Sequence, residues 1–388
     1  MLIAAIFVLI LFLVPDLCIY GMFLRNAPLV WRILFFVPSA LGLLSIVGMR
    51  IFGMTNGLST LFLVVLLCFT LPKLCFLAFS LIAKLLGIWS LTALTVVNTV
   101  GLVTATVISL MALYGLTLGW KQLDTKHVDL YFDNLPQEFD GYRIAHLSDL
   151  HVGSFGQKTN FVQKIVDQTN AENPDLVAFT GDLVNNDPKE LEPFAPILSQ
   201  LHARDGIVSV LGNHDYCLYG DPNRWSDVRE GALKVAAGER RMGWTVLMND
   251  SRIITRDSAR IAVVGVENTG KPPFPQIGDL AAATRNITDY DTAKCAENLF
   301  TILLSHDPSH WRMEVLPKTN IPLTLSGHTH AGQLKIGRWS PSKWMYKEWH
   351  GLYQSDNQQL YISEGISGTL PFRFGARPQI VIITLHRK

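Results

Sequence analysis

The sequence predicts two parts: a helical transmembrane region over residues 1–120 and a layered α/β domain over residues 121–388. Three observations carry that expectation. The first 120 residues are almost free of charge. Beyond them, short β-prone runs alternate with helix-patterned segments, as in layered α/β architectures. Five short polar motifs then close β-prone runs in turn, so that metal-seeking side chains gather where strands stop.

The chain has 388 residues, 49% of them hydrophobic, and the surplus lies at its start. Before residue 121 the only formal charges are Asp16, Arg25, Arg32, Arg50, Lys73 and Lys84. The apolar stretches between them reach the roughly 20 residues needed to cross a hydrocarbon core. Spans are expected near Leu2 to Leu24, Leu29 to Ile51, Leu58 to Ile82 and Leu91 to Trp120, about four helices. A cleaved signal peptide is a poorer reading of residues 1–20, which lack a basic start and run directly into further apolar spans. Lys73, beside Pro72, is costly at mid-bilayer, about 2.5–3.5 kcal/mol on insertion scales. It is read as a snorkelling amine on a kinked helix, with a functional group in a bundle or a break into two half-spans as alternatives.

Residues 121–388 hold 28 basic and 31 acidic residues, a formal net charge of −3. The absence of a broad basic field argues against a nucleic-acid backbone as the main partner. Cys18, Cys68 and Cys75 fall in the expected spans, leaving Cys217 and Cys295. Neither a disulfide framework nor a cysteine metal site is expected, and Cys217 is read as a packed thiol.

In the second part, residues 121–140 read as a linker and first edge strand. Further strands are expected at Tyr142 to Leu147, Leu176 to Thr180, Ile207 to Leu211, Trp244 to Leu247, Ile261 to Val266, Thr301 to Leu304, Leu323 to Leu325, Leu360 to Ile362 and Ile380 to Leu385. Helical spacing marks Phe161 to Val166 and Leu191 to Leu201, and Ser226 is a candidate cap for a helix running toward Arg241. After Trp244 strands dominate, which predicts a mixed sheet or two facing sheets.

The motifs are Asp149-Leu-His151, Gly181-Asp182, Gly212-Asn213-His214-Asp215, Ser305-His306-Asp307 and Gly327-His328-Thr329-His330. In extended backbone, residues two apart face one side, so Asp149 with His151, and His328 with His330, are expected to address one cavity. Gly181 and Gly212 allow the chain to turn before Asp182 and Asn213. Carboxylate, imidazole and amide oxygen without thiolate suit manganese, iron, zinc or magnesium. Two such cations about 3.5–4 Å apart support in-line attack on a phosphoryl group. Each motif alone is weak, and His146, His202 and His310 are read as structural. Five motifs in order at strand ends, using five of eleven histidines, are a specific signal.

On these motifs the chain resembles the calcineurin-like metallophosphoesterase superfamily over nearly all of residues 122–388, and its membrane-anchored bacterial branch in particular. The resemblance implies two mixed β-sheets sandwiched between helices and two divalent ions, manganese favoured. It implies that Asp149, His151, Asp182 and His330 hold one metal, and that Asp182, Asn213, His306 and His328 hold the other. His214 would face the scissile phosphate and Asp215 would orient it.

Arg338-Trp339, Lys343-Trp344, Tyr346-Lys347, Trp349 and Tyr353, with Phe372-Arg373-Phe374 and Arg377, interleave rings and cations. They are read as a substrate or bilayer-interface surface, or as rings packed beneath loops. Membrane attachment points to a phosphate-containing, lipid-linked substrate, and the superfamily includes enzymes that cleave the pyrophosphate of UDP-diacylglucosamine. The alternatives are a broad-range membrane-tethered phosphatase and a non-catalytic membrane sensor. Arg50, Lys121 and Lys126 balance Arg25, Arg32 and Lys84 across the bilayer. The cytoplasmic side is expected for the α/β domain only because nucleotide-linked substrates are found there.

Overall fold

A chain nearly without charge has one way to satisfy its backbone in hydrocarbon with a single segment, the α-helix, and the described residues between 2 and 120 are helical almost throughout. The computed structural model describes residues 2–52, 56–87, 89–219, 224–288 and 299–388; Cys295 lies outside them. It divides into Met1–Gly119 with Leu370–Phe374, and Trp120–Thr369 with Gly375–Lys388.

The helical unit comprises α1 (Leu2–Ile19), α2 (Leu29–Phe52), α3 (Asn56–Val65), α4 (Leu71–Gly87) and α5 (Leu91–Thr117). One π-helical turn, Leu66–Thr70, joins α3 to α4, and another, Tyr20–Leu24, extends α1. Among the described residues, three helices are long and apolar enough to cross a membrane: Leu29–Phe52, Gly57–Gly87 and Leu91–Lys121. Val8–Leu24 is a shorter apolar helix where the first of four spans was expected. Five residues from the far end of the chain also belong here. The Arg373 amide donates to the Gly115 carbonyl at 3.1 Å, and Arg373 is 1% exposed, which removes it from any substrate surface.

Lys73 does not snorkel. Its ammonium reaches Asp16 Oδ1 at 2.6 Å, the Phe35 carbonyl at 2.9 Å and Ser39 Oγ at 3.4 Å, and sits over the Phe35 ring. The amine therefore ties α1, α2 and α4 together. Asp16 is fully buried, so removing it leaves an uncompensated charge, at a cost of about 3–5 kcal/mol. We expect Asp16→Ala to lower the melting temperature in detergent and Asp16→Ala with Lys73→Leu to regain much of it. Identical melts for the wild type and both variants would show that the pair contributes nothing.

The α/β unit contains β1 (Asp124–Phe132), β2 (Tyr142–Leu147), β3 (Leu176–Phe179), β4 (Ile207–Ser209), β5 (Thr245–Val246), β6 (Asp250–Arg256), β7 (Ala259–Gly265), β8 (Phe300–Leu304), β9 (Leu323–Ser326), β10 (Gly351–Ser355), β11 (Gln358–Ile362) and β12 (Gln379–Arg387). One six-stranded sheet runs β1-β12-β2-β3-β4-β5 and the other β10-β11-β9-β8-β7-β6. Both are mixed: the first is parallel except at β12–β2, and the second is antiparallel only at its outer pairs, β6–β7 and β10–β11.

The helices of this unit are α6 (Asn160–Ala171), α7 (Ala195–Leu198), α8 (Glu230–Arg241), α9 (Leu280–Thr288), α10 (Leu316–Lys318) and α11 (Ser342–Met345). Between the sheets Ile144, Ala178 and Val208 meet Ile261, Ile302 and Tyr361. Alternate residues Ala145, Val177 and Phe179 pack outward with Val162 and Ile165 of α6 and Val235 of α8. On the second sheet Val264, Leu303 and Leu360 pack with Leu280 and Ala283 of α9 and with Trp311. The result is a two-sheet sandwich between helices. Ser226 is not the cap of α8, because a turn through Asp227 delays the helix and Arg229 takes that place. Its amide and hydroxyl instead bond Glu230.

Register places the site. Leu147 pairs with Phe179 and Phe179 with Ser209, so the chains leaving β2, β3 and β4 emerge along one edge. Gly265, Leu304 and Leu325 align likewise in the second sheet.

Candidate metal centre

Five of the seven expected ligands have left-handed backbone: Asp149 (φ 56°), His151 (45°), Asp182 (57°), His328 (70°) and His330 (50°). Extended geometry therefore does not bring the paired ligands together; tight left-handed turns past the strand ends do. Such conformations are costly for residues other than glycine and cluster where the surrounding structure enforces a function. The enforcing contacts are visible. The Asp149 amide donates to Gly181 O at 2.9 Å, His151 to Asp182 O at 3.0 Å and Gly327 to His306 O at 3.0 Å. A Cβ on Gly212 would overlap Asp182 Oδ1, so close approach of the two loops requires glycine there.

Two groups of ligand atoms result. Asp149, His151, Asp182 and His330 each offer an atom within 4.8 Å of the others, and so do Asp182, His306 and His328. Asp182 is common to both. Asn213 Oδ1 lies 3.2 Å from His306 Nε2 and so borders the second group. Asp182 Oδ2 is 3.5 Å from His151 Nε2 and 3.2 Å from His306 Nε2. His151 Nε2 is buried without a hydrogen-bond partner, and Asp182 Oδ2 has only its contact with His306. Buried lone pairs converging without donors are what divalent cations satisfy, so the donor set fits two of them.

Each histidine is aimed by its other nitrogen, an arrangement common around bound metals. Nδ1–H of His306 donates to Thr180 O at 2.7 Å and that of His330 to Ser367 O at 3.0 Å. His151 Nδ1 lies 3.2 Å from Asn185 Oδ1. His328 is reversed: its Nε2 meets Tyr346 Oη at 2.7 Å, leaving Nδ1 to face His306 at 3.3 Å. The Asn213 amide nitrogen donates to Tyr219 Oη at 2.9 Å, which turns its oxygen inward. Tyr346→Phe keeps the ring but leaves His328 Nε2 without that acceptor. We expect affinity for the second cation to fall roughly 10–100-fold with the other little changed, as read by metal titration. Equal affinities would remove Tyr346 from the centre.

Burial favours a neutral His306, yet Asp182 and Asp149, with the Thr180 carbonyl, lift its pKa to about 10. Burial also opposes ionisation of Asp182, but the His306 charge pulls its pKa well below the usual range. Burial holds His151 neutral, its pKa lowered to about 3. A metal needs the lone pair that the His306 proton occupies, so binding below about pH 10 releases that proton. Apparent affinity should rise by up to about tenfold per pH unit from neutrality toward that value. Calorimetric titration in buffers of different ionisation enthalpy measures the release, and pH-independent binding without it would refute the coupling.

His214 belongs to neither group. Its Nδ1–H donates to Asn185 O at 2.7 Å, and its amide donates to Asp182 Oδ1 at 2.8 Å. Its ring centroid is 4.8 Å from that of His151, and the side chain lines an open cavity of about 320 Å³ with Asp182, Asn213, Phe274, His328, His330 and Tyr346. Asp215 does not orient it. The Asp215 carboxylate accepts the amides of Asp182, Leu183, Val184 and Gly212 instead, clamping the two metal loops. Burial and the Asp182 charge push its pKa up to about 7, against the amide bonds.

The three histidines read as structural enter neither group: His146 meets Thr180 Oγ1, His310 meets Ser305 Oγ and Glu314, and His202 is exposed. Cys217 is buried with its thiol pKa raised. Sequence reasoning missed Asn185, Tyr219 and the carbonyls of Thr180 and Ser367. Asn185 carried the one available signal, three residues past Asp182 in the same motif run.

The fold and its two ligand groups make this a candidate dinuclear metallohydrolase. Residues 142–332 match the family model Calcineurin-like phosphoesterase, and the chain belongs to that family, whose members are phosphoesterase hydrolases. It is 29% identical over 265 residues to the uncharacterized metallophosphoesterase YkuE of Bacillus subtilis, covering 65% of this chain and 81% of that protein. It is 29% identical to the uncharacterized metallophosphoesterase Cj0846 of Campylobacter jejuni, covering 69% and 64%. It is 28% identical to the transmembrane protein with metallophosphoesterase domain of Danio rerio, covering 72% and 61%. The chain thus spans a little under two thirds of the last two. A cattle relative carries the same description, so the branch is not confined to bacteria.

Proposed function

We propose that this protein is a membrane-anchored phosphoesterase that uses two divalent metal ions, manganese favoured, to hydrolyse a phosphodiester or pyrophosphate bond. The observation that carries this reading is the pair of ligand groups sharing Asp182, with His214 beside them and outside both. Asp149, His151, Asp182 and His330 would hold one ion, and Asp182, Asn213, His306 and His328 the other. When bound, the ions supply Lewis-acid activation of the phosphoryl group and of the attacking water.

The protein's own groups do the rest. With Nδ1–H committed to Asn185 O, His214 has only Nε2 to present to the cavity. A protonated Nε2 can donate to a phosphoryl oxygen or hand its proton to the leaving oxygen. Asp215 holds the loops that carry Asp182 and Asn213 at fixed separation. Three long apolar helices, with the shorter Val8–Leu24 before them, support attachment to a bilayer; in this reading the α/β domain lies on the cytoplasmic side, where nucleotide-linked substrates are found. Tethering keeps the site near a substrate that stays in the membrane, which favours a lipid-linked phosphate such as UDP-diacylglucosamine.

The test is manganese-supplemented hydrolysis by the full-length protein, comparing UDP-diacylglucosamine, bis-p-nitrophenyl phosphate and p-nitrophenyl phosphate, with His214→Ala as the blank. Preference for the lipid pyrophosphate is expected. Turnover of aryl phosphates alone would replace it with a broad-range tethered phosphatase. No turnover with both metals bound would mean a sensor.

A further inference from the structure

The segment after His330 divides by exposure. Tyr346 and Trp349 are buried, whereas Ile336, Trp339, Trp344 and Met345 are 51, 39, 77 and 66% exposed. The four form one patch. Ile336 and Trp339 exchange backbone hydrogen bonds at 2.9 and 3.1 Å, the Trp339 and Trp344 rings meet edge to face at 5.6 Å, and Met345 follows Trp344 in α11. A soluble surface rarely leaves two adjoining tryptophans and two long aliphatic side chains in water without a partner for them.

Charge indicates the partner. Residues 336–347 hold Arg338, Lys343 and Lys347 and no acidic residue, inside a domain whose formal net charge is −3; Lys335, just before them, is paired with Glu364. Tryptophan set among lysine and arginine suits the boundary between acyl chains and anionic headgroups, where the ring is half wet and the cations meet lipid phosphates. A bilayer is also the one partner that a chain with membrane-spanning helices always has within reach. The patch adjoins the metal cavity, since Pro341, Ser342 and Met345 line that cavity.

We propose that Ile336, Trp339, Trp344 and Met345 form a lip by which the α/β domain itself enters the interface of an anionic bilayer beside its active-site mouth. This rests on the membrane reading of the N-terminal helices and on no particular substrate. The lip would deliver a membrane-resident phosphoester to the cavity without its leaving the lipid.

The test uses the full-length protein with its five native cysteines replaced, bearing an environment-sensitive fluorophore at Trp344→Cys and, as reference, at Leu233→Cys, an exposed position on α8. Each is placed in nanodiscs of phosphatidylcholine with or without phosphatidylglycerol. With phosphatidylglycerol present, the Trp344 probe should be quenched by a doxyl-labelled acyl chain and be severalfold less quenched by aqueous iodide than the Leu233 probe. Lys343→Glu should weaken that difference. Iodide quenching equal to the reference in both discs overturns the proposal. Shielding from iodide without lipid quenching also overturns it, in favour of a protein contact. Ile336→Cys serves as a second probe should labelling at Trp344 lower the melting temperature, and no readout depends on hydrolysis.

Discussion

Asp182→Ala should leave the protein folded but without its two cations and without measurable phosphoester hydrolysis. One side chain carries this effect because it serves both groups. Asp182 Oδ2 lies between His151 Nε2 and His306 Nε2, and Oδ1 accepts the His214 amide. Alanine therefore removes an anionic donor from each ligand group and the acceptor that seats the loop carrying His214. It also leaves His151, His306 and His330 converging without the central carboxylate that offsets the metal charge. The loss should exceed the roughly 10–100-fold that removal of an outer hydrogen-bond partner costs, and it should appear in binding before kinetics. Elemental analysis after gel filtration should find neither ion at stoichiometry in the variant. A variant that kept both ions and its turnover would show that Asp182 is not the bridge.

The same residue shows how far the sequence could be read. Gly181-Asp182 stood at the end of a β-prone run, and β3 does end just before it, at Phe179. Strands buried on both faces, such as β3 and β8, announce themselves as largely apolar runs because no alternation with solvent interrupts them. The strands that escaped notice are edge strands. β6 and β10 each carry one fully buried residue, and their pairing is fixed by the neighbouring strand, not by their own composition.

The site divides in the same way. Ligand types and order were legible as motifs, but the geometry joining them was not. Paired ligands were expected from strand alternation, and left-handed turns at Asp149, His151, His328 and His330 do that work. Asp215 was expected beside the imidazole of its neighbour, yet four backbone amides from two loops claim it. Amides leave no sequence signature, and the carbonyls that aim His306 and His330 are equally silent. Lys73 is a third case. Its partner Asp16 is 57 residues away, a pairing that helix packing alone reveals.

His214→Ala is the complementary experiment, since this residue lies beside the two ligand groups and belongs to neither. The variant should bind both cations with wild-type stoichiometry, because none of its ring atoms belongs to a ligand group and its amide to Asp182 survives the substitution. Turnover should fall about 10²–10⁴-fold, the usual worth of a positioned acid or base, and kcat should carry most of it if the ring acts on the transition state. Leaving-group dependence gives the sharper readout. If Nε2–H protonates the departing oxygen, an ester with a p-nitrophenolate leaving group, which needs little protonation, should suffer much less than an alkyl ester. If the imidazolium stabilises the phosphoryl oxygens instead, both should suffer alike. Asn185→Ala discriminates further. The Asn185 carbonyl that holds His214 Nδ1 is retained, whereas the side-chain oxygen facing His151 is lost. That variant should weaken metal binding while leaving the leaving-group pattern of the loaded enzyme unchanged. Loss of metal in His214→Ala would instead make the imidazole a ligand and remove it from proton transfer.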